Sequence, residues 1–385
     1  MSDLLQSLRD RLAAQREQAN PRGGRHSRFY VCRCGNPLFF DNTQCLSCKS
    51  ALGYLPDDGS LDAIDPQPEP GTWRTDGREE LLKSCANRDS AVACNWMVKA
   101  STPSRFCISC RLTRTIPDLA DPVNLGYLRT IEHAKRRLVS QLLALGLPVR
   151  SKVFDDAKDG LMFDFLRSPP KGPRVMTGHA NGLITLNVEE ADDAKREQVK
   201  QDLHEPYRTL LGHFRHEVGH YYWNRLIWDK KWLEPYREVF GDERASYSEA
   251  LKRNYEMGPP ANWADSHISA YATMHPWEDW AETWAHFMHI VDSLGTATGY
   301  GVNIRRDDQR VQPFVKEALF APDDPGAERF LDLLNAWVRL TVVLNEFARS
   351  MGVPDFYPFI VSKPVVAKLQ FIQIVVADAR TNVEL

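Results

Sequence analysis

Apolar side chains recur every three or four positions at Leu203, Tyr207, Leu210, Leu211, Phe214, Val218 and then Tyr221 or Tyr222. That spacing predicts one helix over His204–Trp223 with a single buried stripe. A second helical pattern fills Ile268–Asp292, where Trp277, Trp280, Trp284, Phe287 and Met288 make the stripe. Its helix starts at Pro276, with Pro in the first turn and acidic residues following. Leu128, Ile131, Ala134, Leu138, Leu142 and Leu145 predict a helix over 124–146, stopped by Gly146, with Lys135-Arg136-Arg137 on its solvated face. Residues 313–350 read as helical, with Phe330, Leu333, Leu334, Trp337, Leu340, Leu344 and Phe347 facing a core. After them, Pro354 and Pro358 carry residues 353–361 across the surface.

Strand character concentrates in 151–190: Val153-Phe154, Leu161–Leu166, Val175–Thr177 and Leu183–Asn187. Phe29–Val31 and Pro37–Phe40 read as two further short strands. Residues 56–80 are polar, with Pro and Gly, and read as a linker. The charged stretch 191–202 leads into the helix from His204, and 224–267 connects the two Trp- and His-bearing helices, broken at Gly258-Pro259-Pro260. Leu4, Leu5, Leu8 and Leu12 predict a short helix, Asp3–Gln18, in a basic extension over residues 1–29 that reads as solvated rather than as a docking arm.

Composition adds bounds. The 385 residues have room for two or three domains, and 43% hydrophobic with 26% charged residues is a globular balance. A formal net charge of −3 provides no field for nucleic acid or an anionic membrane. No apolar run approaches the ~18 residues of a membrane span, and residues 1–30 lack the apolar core of a secretory signal. The expected location is the cytoplasm, without a membrane.

All eight Cys lie between residues 32 and 110. Cys32-x-Cys34 and Cys45-x-x-Cys48 form two close pairs that can enclose one tetrahedral ion, as in a zinc ribbon, with iron as the competitor. Cys85, Cys94 and Cys107-x-x-Cys110 make a looser second set, expected to hold a second structural zinc rather than to be buried free thiols. In a chain without a secretory signal, metal binding accounts for them better than disulfides.

The chemistry centres on His216-Glu217-Val218-Gly219-His220. On a helix, residues four apart lie about 40° apart around the axis and about 6 Å along it, so His216 and His220 can reach one metal ion. Two neutral imidazoles suit zinc, with Glu217 beside it to act on a bound water. A catalytic zinc takes a third protein ligand and leaves one position open. The candidates are Glu278 and Glu282, with His286 and His289 behind them. Among the other His residues, His213 lies one turn before His216 and suits an outer-shell place; His275, just before the Glu helix, reads as structural, and His267 is a candidate to assist near the cleft.

The His-Glu-x-x-His motif followed by a Glu on a later helix resembles the gluzincin clan of zinc peptidases. Tyr271, Glu278 and Ala281-Glu282 further resemble the active site of the anthrax lethal factor type. That resemblance implies Glu278 as the third ligand, Glu282 as an outer-shell carboxylate orienting a ligand imidazole, and Tyr271 as a donor to the oxyanion. Cys32–Phe40, Ala93–Trp96, Arg111–Leu119, Gly212–Glu217 and His275–Glu282 are similar to a bacterial family of zinc-binding metallopeptidases with an N-terminal zinc-ribbon domain. This resemblance runs from about residue 30 to about 375 and implies no particular substrate.

The expected fold is α+β: residues 1–29 an extension, 30–118 a Cys-rich zinc-ribbon module with two Cys₄ sites, and 119–385 a zincin-like metallopeptidase domain with a C-terminal helical part. In zincins, the last strand before the metal helix borders the cleft and pairs with extended substrate, and Gly182–Asn187 takes that place. The expected activity is hydrolysis of a peptide or amide bond with one catalytic and two structural zinc ions, acting on a peptide or protein, with the ribbon module free to bind a protein partner. The rival reading is a zinc-ribbon adaptor with a weakly active or inactive zincin domain. Glu217, which has no structural need to be Glu, argues against it.

Overall fold

The structure is a computed structural model that describes residues 28–202, 209–302 and 314–381. The helix expected over Asp3–Gln18 and the start of the one expected from His204 lie outside these residues. The chain divides into two compact units. Of the described residues, one unit takes those up to Arg88, Cys94–Cys107 and the stretch from Gly295 to residue 302; the other takes Asp89–Ala93, Ile108–Leu294 and residues 314–381.

In the first unit a short hairpin pairs β1 (Tyr30–Val31) with β2 (Pro37–Leu38). Five strands then follow as an antiparallel meander: β3 (Ala51–Leu55), β4 (Ser60–Pro66), β5 (Thr72–Thr75), β6 (Leu82–Ser84) and β7 (Met97–Lys99). The linker expected over 56–80 is therefore wrong; β4 and β5 lie within it. Its Leu61, Ala63 and Ile64 are buried, and Ile64 joins Leu55, Leu82 and Met97 in one core against which Ala51 and Trp73 pack. The short strands are separated by Pro- and Gly-bearing turns, so composition averaged over the stretch hides the apolar positions. Phe40, Tyr54 and Trp96 form a second cluster, with ring centroids 4.7–6.4 Å apart.

The second unit is built on a four-stranded mixed sheet in the order β10-β11-β9-β8: β8 is Thr113–Thr115, β9 Met162–Leu166, β10 Gly178–Ala180 and β11 Leu183–Asn187. β11 and β9 run parallel, as do β9 and β8, while β10 folds back antiparallel on β11. The β10–β11 turn is Asn181-Gly182, with φ of 46° and 78°. Two left-handed residues in a two-residue loop match the right-handed strand twist, and Asn-Gly supplies them at least cost. Two expectations fall here. Val175–Thr177 is not a strand; the pairing strand begins at Gly178. β11 is also not the cleft-facing edge, because β10 covers one side of it and β9 the other. The edge is β10. Val153-Phe154 lies in turns and both side chains are exposed.

Helix α1 (Pro122–Ala144) begins under an Asp121 cap and stops before Gly146, φ 68°. Of its basic run only Arg137 is part-exposed: Lys135 is fully buried, with its ammonium 2.8 Å from Glu132, and Arg136 donates to the Val92 carbonyl at 3.2 Å. The cause is that α1 packs on both the chain after β11 and the metal-motif helix, so it has more than one buried face, and each cation brings its own acceptor.

The charged stretch forms α2 (Asp193–Asp202), and the metal-motif helix is α3 (Leu210–Leu226). The connection read as a link contains two helices, α4 (Leu233–Phe240) and α5 (Tyr247–Met257), the latter ending at Gly258 before Pro259-Pro260. α6 spans Pro276–Gly299, α7 Ala327–Ser350 and α8 Lys363–Thr381. Within the expected 313–350 helix, residues 319–326 are not helical, and Phe347 is exposed while Phe330, Leu334, Trp337 and Leu340 are buried. Among the described residues no helix is long and apolar enough to cross a membrane.

Gly219 sets the approach of α3 to α6. A Cβ there would meet the Ala281 Cα at 3.1 Å and the Trp284 ring at 3.2 Å, and the Gly219 carbonyl accepts from the Trp280 indole N–H at 2.9 Å. Phe163 and Phe165 of β9 hold the other side of α3 through Phe214, at centroid distances of 5.5 and 6.2 Å. A buried pair between Lys368 of α8 and Asp279 of α6, 2.6 Å apart, ties the last helix to the start of α6.

Candidate metal centre

Thr209 caps α3, its hydroxyl accepting the Gly212 N–H at 3.0 Å. One turn further on begins the motif, and His216, Glu217 and His220 are all buried. His216 and His220 face each other, Nε2 to Nε2, at 3.1 Å. From the first turn of α6, Glu278 Oε2 comes within 3.0 Å of His216 Nε2 and 3.4 Å of His220 Nε2.

The rest of the arrangement leaves these three atoms as electron-pair donors. Glu282 Oε1 accepts from His216 Nδ1 at 2.6 Å, which puts the proton of a neutral imidazole on Nδ1 and a lone pair on Nε2. Ser269 donates to the other oxygen of Glu282 at 2.6 Å, and Tyr247 donates to Glu278 Oε1 at 2.9 Å. Glu278 Oε2 and Glu217 Oε2 are buried without a hydrogen-bond partner of adequate geometry. A tetrahedral ion with nitrogen and oxygen ligands at about 2.0–2.1 Å spaces those ligands about 3.3–3.4 Å apart. The triangle therefore fits a zinc ion.

The electrostatics agree. Burial pushes the His216 pKa down, but its bonds to Glu278 and Glu282 outweigh this and hold it well above the ordinary value. Burial raises the Glu278 carboxyl, and His220 and His216 pull it back below the usual carboxylate range. The pocket thus favours one positive charge between the imidazoles and carboxylates, a place that a proton and a metal cation compete for. For Tyr271, burial first and then the charge of Glu278 push the phenol well up, so it stays a donor; its ring centroid is 6.0 Å from that of His216.

The eight cysteines gather into two groups, Cys32 with Cys34, Cys45 and Cys48, and Cys85 with Cys94, Cys107 and Cys110. Sulfur pairs stand 3.6 Å (Cys32–Cys48), 3.7 Å (Cys34–Cys45) and 3.7 Å (Cys94–Cys107) apart. A disulfide would need about 2.05 Å, whereas thiolates about 2.3 Å from one tetrahedral ion lie about 3.8 Å apart. Both groups have the spacing of metal sites.

Two sequence candidates for the third ligand go elsewhere. His286 Nδ1 meets the Tyr357 hydroxyl at 2.7 Å, and His289 meets Arg215 at 2.6 Å in a buried group with Gln141 and Asp292. His213 lies against Glu190 and 3.9 Å from Glu217. His275 donates to the Ala245 carbonyl at 3.0 Å, and His267 is 3.7 Å from Asp279.

Sequence reasoning missed Tyr247, Ser269, His179 and the role of Trp277. The ring of Trp277 lies 3.8 Å from that of His220. His179, on edge strand β10, accepts the Gly182 N–H at 3.0 Å, with its ring 6.4 Å from that of His220. Burial, with His220 and Lys152 nearby, pushes its pKa down to about 3, so it is neutral. Two signals were available: Asn181-Gly182 marks the hairpin, and Ser246-x-x-Glu249 is a helix-capping pattern announcing α5 and its Tyr247. Ser269 carried no signal.

Residues 124–375 match the family described as "Putative zinc-binding metallo-peptidase", and residues 29–121 match a zinc-ribbon domain. An uncharacterized protein of Mycobacterium bovis and two uncharacterized proteins of Mycobacterium tuberculosis are each 40% identical over 357 residues, covering 92% of this chain and 97% of theirs. No solved structure matches the chain.

Proposed function

Because the chain belongs to this zinc-binding metallo-peptidase family, we propose that it is a zinc-dependent hydrolase of a peptide or amide bond. The observation that carries the reading is the convergence of His216 Nε2, His220 Nε2 and Glu278 Oε2 within 3.0–3.4 Å, beside the unpartnered oxygen of Glu217. His216, His220 and Glu278 would hold the catalytic ion. Zinc bound there supplies a Lewis acid for the scissile carbonyl and lowers the pKa of a coordinated water.

The chain's own groups divide the remaining work. Glu217 Oε2 takes a proton from the attacking water and passes it to the leaving amine nitrogen. The Tyr271 hydroxyl donates to the oxyanion, as in the lethal factor type of site. Glu282 holds the Nδ1 proton of His216 and so fixes its ring, and Tyr247 fixes the Glu278 carboxylate. An extended stretch of peptide adds to the side of β10 that no described strand covers, next to His179 and His220. The Cys groups hold two structural zinc ions.

The experiment is metal analysis coupled to turnover. Zinc-loaded protein should carry three ions per chain, one for each group of ligands. It should cleave members of a quenched-fluorescent peptide library, lose that activity to a chelator and regain it with added zinc. One ion or fewer per chain, or turnover indifferent to the chelator, would sink the reading.

Tyr247→Phe isolates one supporting bond. Removing a hydroxyl that orients a ligand carboxylate should weaken zinc at the His-Glu site by about 10–100-fold. Competition with a fluorescent chelator measures it. An unchanged affinity would show that Glu278 is placed without Tyr247.

A further inference from the structure

Glu217 has a charged-group neighbour on its own helix as well as the ligand triangle. Its Oε1 lies 3.9 Å from Nε2 of His213, one turn earlier on α3, while its Oε2 is buried and unpartnered. The other nitrogen of that ring, Nδ1, is in hydrogen-bond contact with Glu190 Oε2. Glu190 sits in the 3-10 turn Val188–Ala191 directly after β11, and its second oxygen takes the Thr177 hydroxyl. Thr177 in turn accepts the Asn187 N–H at 3.1 Å. The result is a line of contacts from the β10–β11 hairpin through Glu190 and His213 to Glu217.

We propose that Glu190 and His213 form a carboxylate–imidazole pair that positions Glu217. The proposal rests on the role assigned above to Glu217 as the base. As an imidazolium the ring donates its Nδ1–H to Glu190 and turns its Nε2–H toward Glu217 Oε1, which restrains that oxygen. Oε2 is then the oxygen presented to the water. At 3.9 Å the His213–Glu217 contact is an ion-pair distance rather than a hydrogen bond, and the restraint is electrostatic until the two groups close together. Packing alone does not explain the contact. His213 is part-exposed, with 22% of its side chain accessible, and a residue serving only to fill space has no need of a carboxylate at each ring nitrogen.

The probe is leucine hydroxamate bound to the zinc-loaded full chain and followed by calorimetry. Its N–OH proton has to be received as the hydroxamate oxygen reaches the metal: the O–H bond of the probe breaks and one forms on Glu217. Affinity therefore reports where Glu217 stands, independently of turnover. His213→Ala should weaken the hydroxamate by about 10-fold at unchanged zinc content, the lower end for an outer-shell partner. His213→Gln places an amide nitrogen at the Nε2 position facing Glu217 and should restore most of the affinity. His213→Asn places its amide at the Nδ1 position facing Glu190 and should not. Rescue by His213→Asn in place of His213→Gln, or wild-type affinity in His213→Ala, overturns the inference while leaving the proposed hydrolase intact. Wild-type affinity in Glu217→Gln removes the base role of Glu217, and with it this inference. So does a wild-type protein that holds three zinc ions and binds no hydroxamate.

Discussion

Glu217→Gln should lower hydrolysis by about 10²–10⁴-fold while leaving the zinc content of the protein unchanged. The amide has the size and shape of the carboxylate, so the packing of α3 against α6 should survive. What it lacks is the ability to take a proton. Burying a carboxylate is costly unless it is paired or bonded, and Glu217 is 5% exposed with one oxygen unpartnered and the other 3.9 Å from His213. Its neighbours on the motif do have structural work: Val218 is fully buried, and Gly219 sets the distance between helices. The proposed base role would account for a position that bears such a cost without a packing return. Glu217 is also 3 residues or fewer from both imidazoles yet is not one of the residues whose ligand atoms converge, which are His216, His220 and Glu278. Metal analysis and turnover on the same sample separate the two roles. Near-normal turnover would remove the mechanism; lost zinc would make Glu217 a ligand or a structural support.

The parts of this protein that were legible in its sequence are those where the chemistry is local. His216 and His220 are four residues apart on one helix, and the cysteines include three pairs separated by one or two residues, 32/34, 45/48 and 107/110, so spacing alone brings these together. Glu278 is 58 residues beyond His220, and spacing could not choose it over Glu282; the choice came from the resemblance. Helices with one apolar stripe were also readable, whereas α8, with Val365, Val366, Leu369, Phe371, Ile372, Val375 and Val376 buried, is apolar on several faces and was passed over. Lys135 and Arg136 failed for the opposite reason. Charge is a reliable sign of solvent only until a helix is enclosed on more than one side, and here each cation is buried with its acceptor. The meander in 56–80 was hidden by its turns. The outer shell was the least legible, because Tyr247 and Ser269 reach the site only through the path of the chain between the two metal helices.

Glu278→Ala should empty the catalytic site at ordinary zinc concentrations, whereas Glu282→Ala should keep the ion with affinity reduced by about 10–100-fold. The two carboxylates are one helical turn apart on α6, and both point toward α3. They meet opposite edges of the same ring. Glu278 Oε2 is 3.0 Å from His216 Nε2 and 3.4 Å from His220 Nε2, on the side where the lone pairs converge. Glu282 Oε1 is 2.6 Å from His216 Nδ1, on the far side, and its other oxygen is held by Ser269. An ion between the two Nε2 atoms is therefore within reach of Glu278, while Glu282 acts on it through the imidazole. Without Glu278, two neutral nitrogens remain, with no anionic ligand to offset the charge of a divalent ion in a buried pocket. Without Glu282, all three ligand atoms remain, and what is lost is the restraint on the His216 ring. After dialysis against zinc-poor buffer, Glu278→Ala should carry only the ions of the two Cys groups, and Glu282→Ala should regain its third ion when zinc is raised. If Glu282→Ala is the variant that stays empty while Glu278→Ala remains loaded, the two carboxylates exchange roles, and the ion sits on the Nδ1 side of His216.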